Sequence, residues 1–197
     1  INRTIPKCKH FGICGGCSWQ QMSYKAQLNH KQEEVLNSLS RIGKVSVQKI
    51  EPIISCDRIY SYRNKMEFSF SAKRWLTKYE IANDKVIEDR TALGFHIPGM
   101  WDKVVDIEYC HIQPSLPNQI RNEIKQYARE NMLSFYDARE KTGFLRSLMI
   151  RTSTTGEIMV VIQFFYENNK EREDLLDHII SKFSSINSLQ YLSLIHI

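Results

Sequence analysis

A chain of 197 residues, 42% of them hydrophobic, with a net charge of +5, is long enough to bury one core, alone or with a small appendage. No apolar run approaches the roughly 20 residues that cross a bilayer. The opening Ile1–Pro6 lacks the apolar stretch of a secretory signal. A cytoplasmic protein with no membrane partner is therefore expected, and the missing initial Met suggests a longer parent.

The charge is unevenly placed. Residues Ile1 to Gln32 contain no Asp or Glu but hold Arg3, Lys7, Lys9, Lys25 and Lys31, with His10 and His30 besides. Those five cations equal the excess of the whole chain. A basic segment suits phosphate, because each neutralised phosphate releases counterions; a solvated basic face is the plain alternative. The same segment carries three of the five cysteines. An odd, clustered set argues against a secreted disulfide framework and for a metal or redox site.

Pro6 to Trp19 reads PKCKHFGICGGCSW, a loop in which Gly12, Gly15 and Gly16 let the backbone fold back. A helix is expected from about Gln20 to Leu39, with Tyr24, Leu28, Val35, Leu36 and Leu39 on one face and Gly43 as the stop. Val47 to Ile54 reads as a strand. In Tyr62 to Ser71, Met66, Phe68 and Phe70 alternate with polar residues, marking a half-buried strand. A charged connection, Lys78 to Arg90, leads to the strand TALGFHI, and VVDIEYCHIQP closes at Pro114. A second helix is expected over about Pro117–Asn131. The strands LRSLMIRTS and EIMVVIQFF join as a hairpin through Thr154–Gly156. A third helix, about Lys170–Phe183, precedes the strand-like LQYLSLIHI. The fold class expected is α+β: a mostly antiparallel sheet with flanking helices and an N-terminal cysteine-rich loop. Residues 1–42 form the cysteine loop and first helix, 43–192 an α+β central domain, and 193–197 a truncated or non-native end.

Cys8-x5-Cys14-x2-Cys17 needs a fourth thiolate, because such sites are usually four-coordinate. Cys110, at a strand end before Pro114, is the better candidate, with Cys56 as the other. The spacing matches neither the C-x3-C-x2-C of radical enzymes using S-adenosylmethionine nor the C-x2-C-x2-C of bacterial ferredoxins. It also lacks the second short pair of a zinc ribbon. Spacing alone leaves zinc and iron–sulfur open.

C-x-HFG-x-CGGC-x-WQ, followed by Y-x-x-Q and a helix ending in RIG, resembles the 23S ribosomal RNA (uracil-5-)-methyltransferases that carry a 4Fe–4S cluster. YRNKMEFSFS, LGFH, VVDIEYCHIQP and LRSLMIRTS resemble the central domain of that family, in its order. The resemblance implies Cys8, Cys14, Cys17 and Cys110 as cluster ligands. It leaves Cys56 without a counterpart, so a small buried residue is expected there. It further implies a parent enzyme using S-adenosylmethionine, with an N-terminal β-barrel and a C-terminal methyltransferase domain that are absent here.

The chain has no G-x-G loop for that cofactor. The family's F-x-Q-x-N segment, nucleophilic cysteine and base are also missing. No catalytic residue is therefore assigned, and the chain alone is expected to be inactive. Its implied task is to bind the cluster and position ribosomal RNA, as a monomer. Lys9, His10, Arg63, Lys65, Arg146 and Arg151 are the candidate RNA contacts. Arg63 and Lys65 are expected to share a face. Phe11 and Trp19 are expected to pack the loop against the first helix, with base stacking as their alternative. The competing readings are a non-catalytic, zinc-dependent RNA-binding module and a small iron–sulfur electron carrier.

Overall fold

A computed structural model describes residues 3–82 and 87–194. Its centre is a six-stranded sheet in the order β3-β2-β1-β4-β5-β6, formed by β1 (Lys65–Ser71), β2 (Ala92–Ile97), β3 (Met100–Asp106), β4 (Leu145–Thr152), β5 (Ile158–Phe164) and β6 (Ser188–Ser193). All neighbouring pairs are antiparallel except β5 with β6. That parallel pair follows from its connection: helix α4 (Asn169–Lys182) carries the chain back to the start of the sheet. The α+β, mostly antiparallel expectation therefore describes the molecule.

Alternation fixes which face is covered. Met66, Phe68 and Phe70 of β1 point inward and are buried, while Lys65 and Glu67 face out. Leu148 and Ile150 of β4 and Val160 and Ile162 of β5 continue the inner layer. Helix α3 (Ser115–Glu130) seals it with Ile120, Ile124 and Ala128, and α4 with Leu175 and Ile179. Asn168 caps α4 by accepting the Glu171 amide. The β4–β5 hairpin turns at Gly156, whose φ of +104° suits glycine.

Two elements differ from expectation. Val47–Ile54 is not a strand. Pro52 removes a ladder donor, and the Gln32 side chain holds the segment instead, donating to Glu51 O at 3.2 Å and accepting from Ile53 N at 3.1 Å. The first helix, α1, spans Tyr24–Asn37 and continues as a π-helical turn over Ser38–Ile42. Its supposed apolar face is largely uncovered: Ala26 is buried, but Val35 and Leu39 are exposed. The residue in left-handed geometry after it is Lys44, not Gly43.

The charged connection contains a short helix, α2 (Lys78–Ala82). It opens with a capping box in which Thr77 Oγ1 accepts from Glu80 N and Glu80 Oε2 accepts from Thr77 N. Residues 83–86 of that connection, and 195–197 of the expected terminal segment, lie outside the described residues. Among the described residues no helix is long and apolar enough to cross a membrane.

Candidate functional site

Backbone turns shape the cysteine loop before any side chain acts. Phe11 N donates to Cys8 O, and Ile13 N and Cys14 N both donate to His10 O. Gly12, at φ +85°, makes the reversal. Gly15 lies so close to the β2–β3 turn that an added Cβ would meet Pro98 Cγ at 3.0 Å. The loop is therefore laid across one end of the sheet. His10 anchors it there: its ring is buried and Nε2 accepts the Glu108 amide at 3.2 Å.

The fourth thiol arrives from the segment after β3. Cys110 is buried, and its backbone is gripped on both sides by Asn118 of α3: Cys110 N donates to Oδ1 at 2.8 Å, and Nδ2 donates to Cys110 O at 3.1 Å. Cys8, Cys14, Cys17 and Cys110 together line one cavity of about 380 Å³, walled also by Phe11, Met66, Phe95 and Ile107. Burial pushes the Cys14 thiol up to about 11, with the Gly16 amide opposing and the other three cysteines adding to the rise. Burial likewise raises Cys110, which the Ile112 amide opposes. Among the described residues, no group of three or more His, Cys, Asp or Glu side chains is placed to hold a metal ion. The four thiols border a common space.

Cys56 is exposed, not buried as the sequence suggested. Its amide donates to Tyr24 Oη at 2.8 Å and its thiol to Arg58 O at 3.2 Å, away from the cysteine cavity.

The cationic candidates differ in their freedom. Arg63 and Lys65 both line the cysteine cavity. Lys65 pairs with Glu67 at 2.7 Å, and Lys9 is ion-paired with Glu108. Arg63 is exposed, with Nε donating weakly to Lys65 O. Arg151 is exposed and sits opposite Lys65 in the β1–β4 register. Arg146 lies 4.4 Å from the Tyr136 ring centroid. Phe11 lines the cavity, whereas Trp19 remains 39% exposed.

No protein-family model matches the chain. Proteins named as uncharacterized RNA methyltransferases align along almost all of it. The one from Bacteroides thetaiotaomicron is 45% identical over 193 residues, covering 96% of this chain and 42% of that protein. The one from Porphyromonas gingivalis is 44% identical over 194 residues, with the same shares of each chain. The chain is similar to part of these bacterial RNA methyltransferases. It spans less than half of their length. In fold it matches the crystal structure of a tRNA (uracil-54, C5)-methyltransferase from Pyrococcus abyssi in complex with S-adenosyl-L-homocysteine. The TM-score is 0.61 at 21% identity, over 92% of this chain and 38% of that one.

Sequence reasoning missed the support behind Cys110. Arg121 of α3 is fully buried: Nη1 donates to Asn118 Oδ1 at 3.2 Å, and Nη2 to Glu108 O at 2.7 Å and Asn122 Oδ1 at 2.8 Å. Burial lowers its guanidinium to about 10, with Cys110 and Asp106 opposing. The signal was present, because Arg121 falls on the stripe Pro117, Asn118, Ile120, Ile124 and Ala128 that α3 buries.

Proposed function

We propose that this chain is the cluster-holding, RNA-positioning part of an RNA (uracil-C5-)-methyltransferase that uses S-adenosylmethionine and acts on ribosomal RNA in the cytoplasm, with this part monomeric. The observation that carries the reading is the convergence of Cys8, Cys14, Cys17 and Cys110 on one cavity. The similarity to proteins named RNA methyltransferases supports RNA as the substrate.

The donor set fits a 4Fe–4S cluster. Four soft sulfurs suit iron–sulfur chemistry. In a cubane each thiolate binds a different iron, so the ligands stand around a space, as these do. Zinc, which takes four thiolates at about 2.3 Å from one centre, is the other metal that this donor set suits, and metal analysis separates the two. Bound there, the cluster supplies ligation energy that ties a glycine-rich loop to the sheet. His10, committed to the Glu108 amide, acts from within as a second tie. Arg63 and Arg151 are the direct phosphate contacts in this reading, joined by Arg146 and by Lys9 and Lys65 as RNA draws them from their carboxylate partners. A chain with no G-x-G turn for S-adenosylmethionine is expected to transfer no methyl group by itself.

The test is anaerobic purification followed by iron, sulfide and zinc analysis, alongside RNA binding over a salt series. Iron and sulfide in near-equal amounts, with RNA affinity falling steeply in salt, are expected. Stoichiometric zinc without sulfide would replace the reading with a zinc-dependent RNA-binding module. Metal-loaded protein that ignores RNA would remove the positioning role.

A further inference from the structure

A second cleft, about 860 Å³ in volume, borders the cysteine cavity and shares Gly16, Cys17, Gln20 and Ile112 with it. That volume lies within the roughly 300–1,000 Å³ typical of ligand sites. One wall is the end of the cysteine loop and α1; the other is the irregular segment around residues 56–62. Ser61 N and Arg63 N fasten that segment by donating to His111 O and Ile112 O, at 3.0 and 2.8 Å.

The lining has an unusual composition. Four aromatic rings, Trp19, Tyr24, Tyr60 and Tyr62, stand with two cations, Lys31 and Arg58, and no Asp or Glu lines the cleft. Lys31 Nζ lies 5.6 Å from the Trp19 ring centroid, and Lys7 Nζ lies 4.8 Å from that of Tyr60. Tyr62 is 62% exposed. Lys9 and Lys65 are tied to carboxylates. Lys31 and Arg58 have no carboxylate partner among the described residues, so their charge is available to a ligand.

We infer that this cleft binds single-stranded RNA, with bases stacked on Trp19 and Tyr62 and phosphates held by Lys31 and Arg58. The inference rests on the RNA-binding reading above and adds to it a site that none of the six candidate RNA contacts lines. Rings interleaved with unpaired cations are what an unpaired strand requires, because every base offers a π-face and every linkage a negative charge. An acid-free lining matches a polyanion and offers nothing to the basic groups of a protein ligand. A duplex, whose bases are already stacked inside, gains nothing from the rings. The shared wall also couples the two sites. Cys17 lies two residues before Trp19, so fixing its thiol fixes one side of the RNA cleft.

The test uses the full chain and a fluorescein-labelled oligouridylate of about 12 nucleotides, within the roughly 4–16 that such sites span. Tyr62→Ala is expected to weaken binding about tenfold or more, as one lost base stack does, while Tyr62→Phe, which keeps the ring, binds as the parent does. Lys31→Ala and Arg58→Ala are each expected to flatten the log–log salt dependence by about 0.7. In a Trp75→Phe/Trp101→Phe background, the oligonucleotide is expected to quench Trp19 fluorescence. If the parent binds but Tyr62→Ala, Lys31→Ala and Arg58→Ala leave affinity and salt slope unchanged and Trp19 is unquenched, the cleft assignment is overturned. The broader RNA reading then stands. A parent chain that binds ribosomal RNA but not the oligonucleotide overturns the cleft assignment alone, and one that binds neither overturns both.

Discussion

Asn118 Oδ1 accepts two buried donors at once, the Cys110 amide at 2.8 Å and Arg121 Nη1 at 3.2 Å. Its amide nitrogen returns two bonds, to Cys110 O and Pro114 O, both at 3.1 Å. One side chain therefore holds the segment that brings the fourth thiol to the cavity. Asn118→Leu keeps the volume and strands these partners in a buried place. Each buried group left unsatisfied costs about 1–3 kcal/mol, so a loss on the order of 3 kcal/mol is expected in urea unfolding. Iron uptake should fall with it. A variant that unfolds at the parent's midpoint and takes up full iron would show that the segment is held by its other contacts.

Arg121 presents a different case, because it is buried with no carboxylate ion pair among the described residues. Its bonds go to a backbone carbonyl and two Asn oxygens. Removing the guanidinium leaves Glu108 O with the Asn122 Nδ2 donor at 3.1 Å and Asn118 Oδ1 with the Cys110 amide at 2.8 Å, and it also ends the cost of burying an unpaired charge. Arg121→Met is therefore expected to unfold in urea near the parent's midpoint when metal-free. Anaerobic reconstitution should give less iron per chain, since a positive charge beneath Cys110 favours thiolate ligation. Unchanged iron in this variant would reduce Arg121 to a packing residue over Phe68, whose ring lies 5.1 Å from the guanidinium carbon.

Gly94 of β2 pairs with Asp106 of β3. A Cβ added there would lie 2.0 Å from Val105 O and 2.7 Å from Ile107 Cγ1. Backbone cannot yield as a flexible side-chain tip can, so Gly94→Ala must open the β2–β3 pairing. Overpacking typically costs about 1–3 kcal/mol, and a clash with backbone belongs at the top of that range. The measurement is the thermal midpoint against Gly99→Ala, whose site is open though at positive φ. Equal losses in the two variants would place the cost in backbone conformation, not in strand separation.

Much of this architecture was visible in the residues because period and burial agree. Met66, Phe68 and Phe70 alternate, and they are the inner layer. Val47–Ile54 shows the limit of reading strands from residue type: its Val and Ile residues suit a strand, but the run does not alternate and contains Pro52, and Gln32 holds it where a neighbouring strand would. The site divided in a similar way. Cysteine spacing picked out Cys8, Cys14 and Cys17 and favoured Cys110 over Cys56, and the family resemblance completed the four that share a cavity. Exposure of Cys56 and burial of Arg121 had no such signal in residue type, since a cysteine is usually inside and an arginine outside. The acid-free cleft is a property of the fold, which joins residues 19–31 to residues 56–62.

Asp102 of β3 accepts from Arg139 Nε, and this bond holds the carboxyl below the usual range, helped by the charges of Arg139 and Lys103. The folded pKa therefore lies below the unfolded value of about 3.9. The unfolded chain binds the extra proton as the pH drops, so the pair's contribution is fully present above that value and is lost as pH falls through the lowered one. Arg139→Gln removes it. The urea midpoints of parent and variant should differ by a constant amount at neutral pH, and the gap should close below about pH 3.9. A gap that persists in acid would assign the Arg139 effect to packing.

Cys56 offers a direct check on the division of the thiols. It is the exposed cysteine, while Cys110 is buried and Cys8, Cys14 and Cys17 are half-buried around their cavity. Thiol reactivity follows access and thiolate character, and a cysteine bound to metal is withheld from the reagent. Native, metal-loaded protein treated with Ellman's reagent is therefore expected to show one fast-reacting thiol, and Cys56→Ser to abolish that phase without changing iron content. Removing the metal should release further thiols, because ligation no longer protects them. A second fast thiol in the loaded protein would mean that at least one of Cys8, Cys14, Cys17 and Cys110 is not a ligand, and single-cysteine serine variants would identify it.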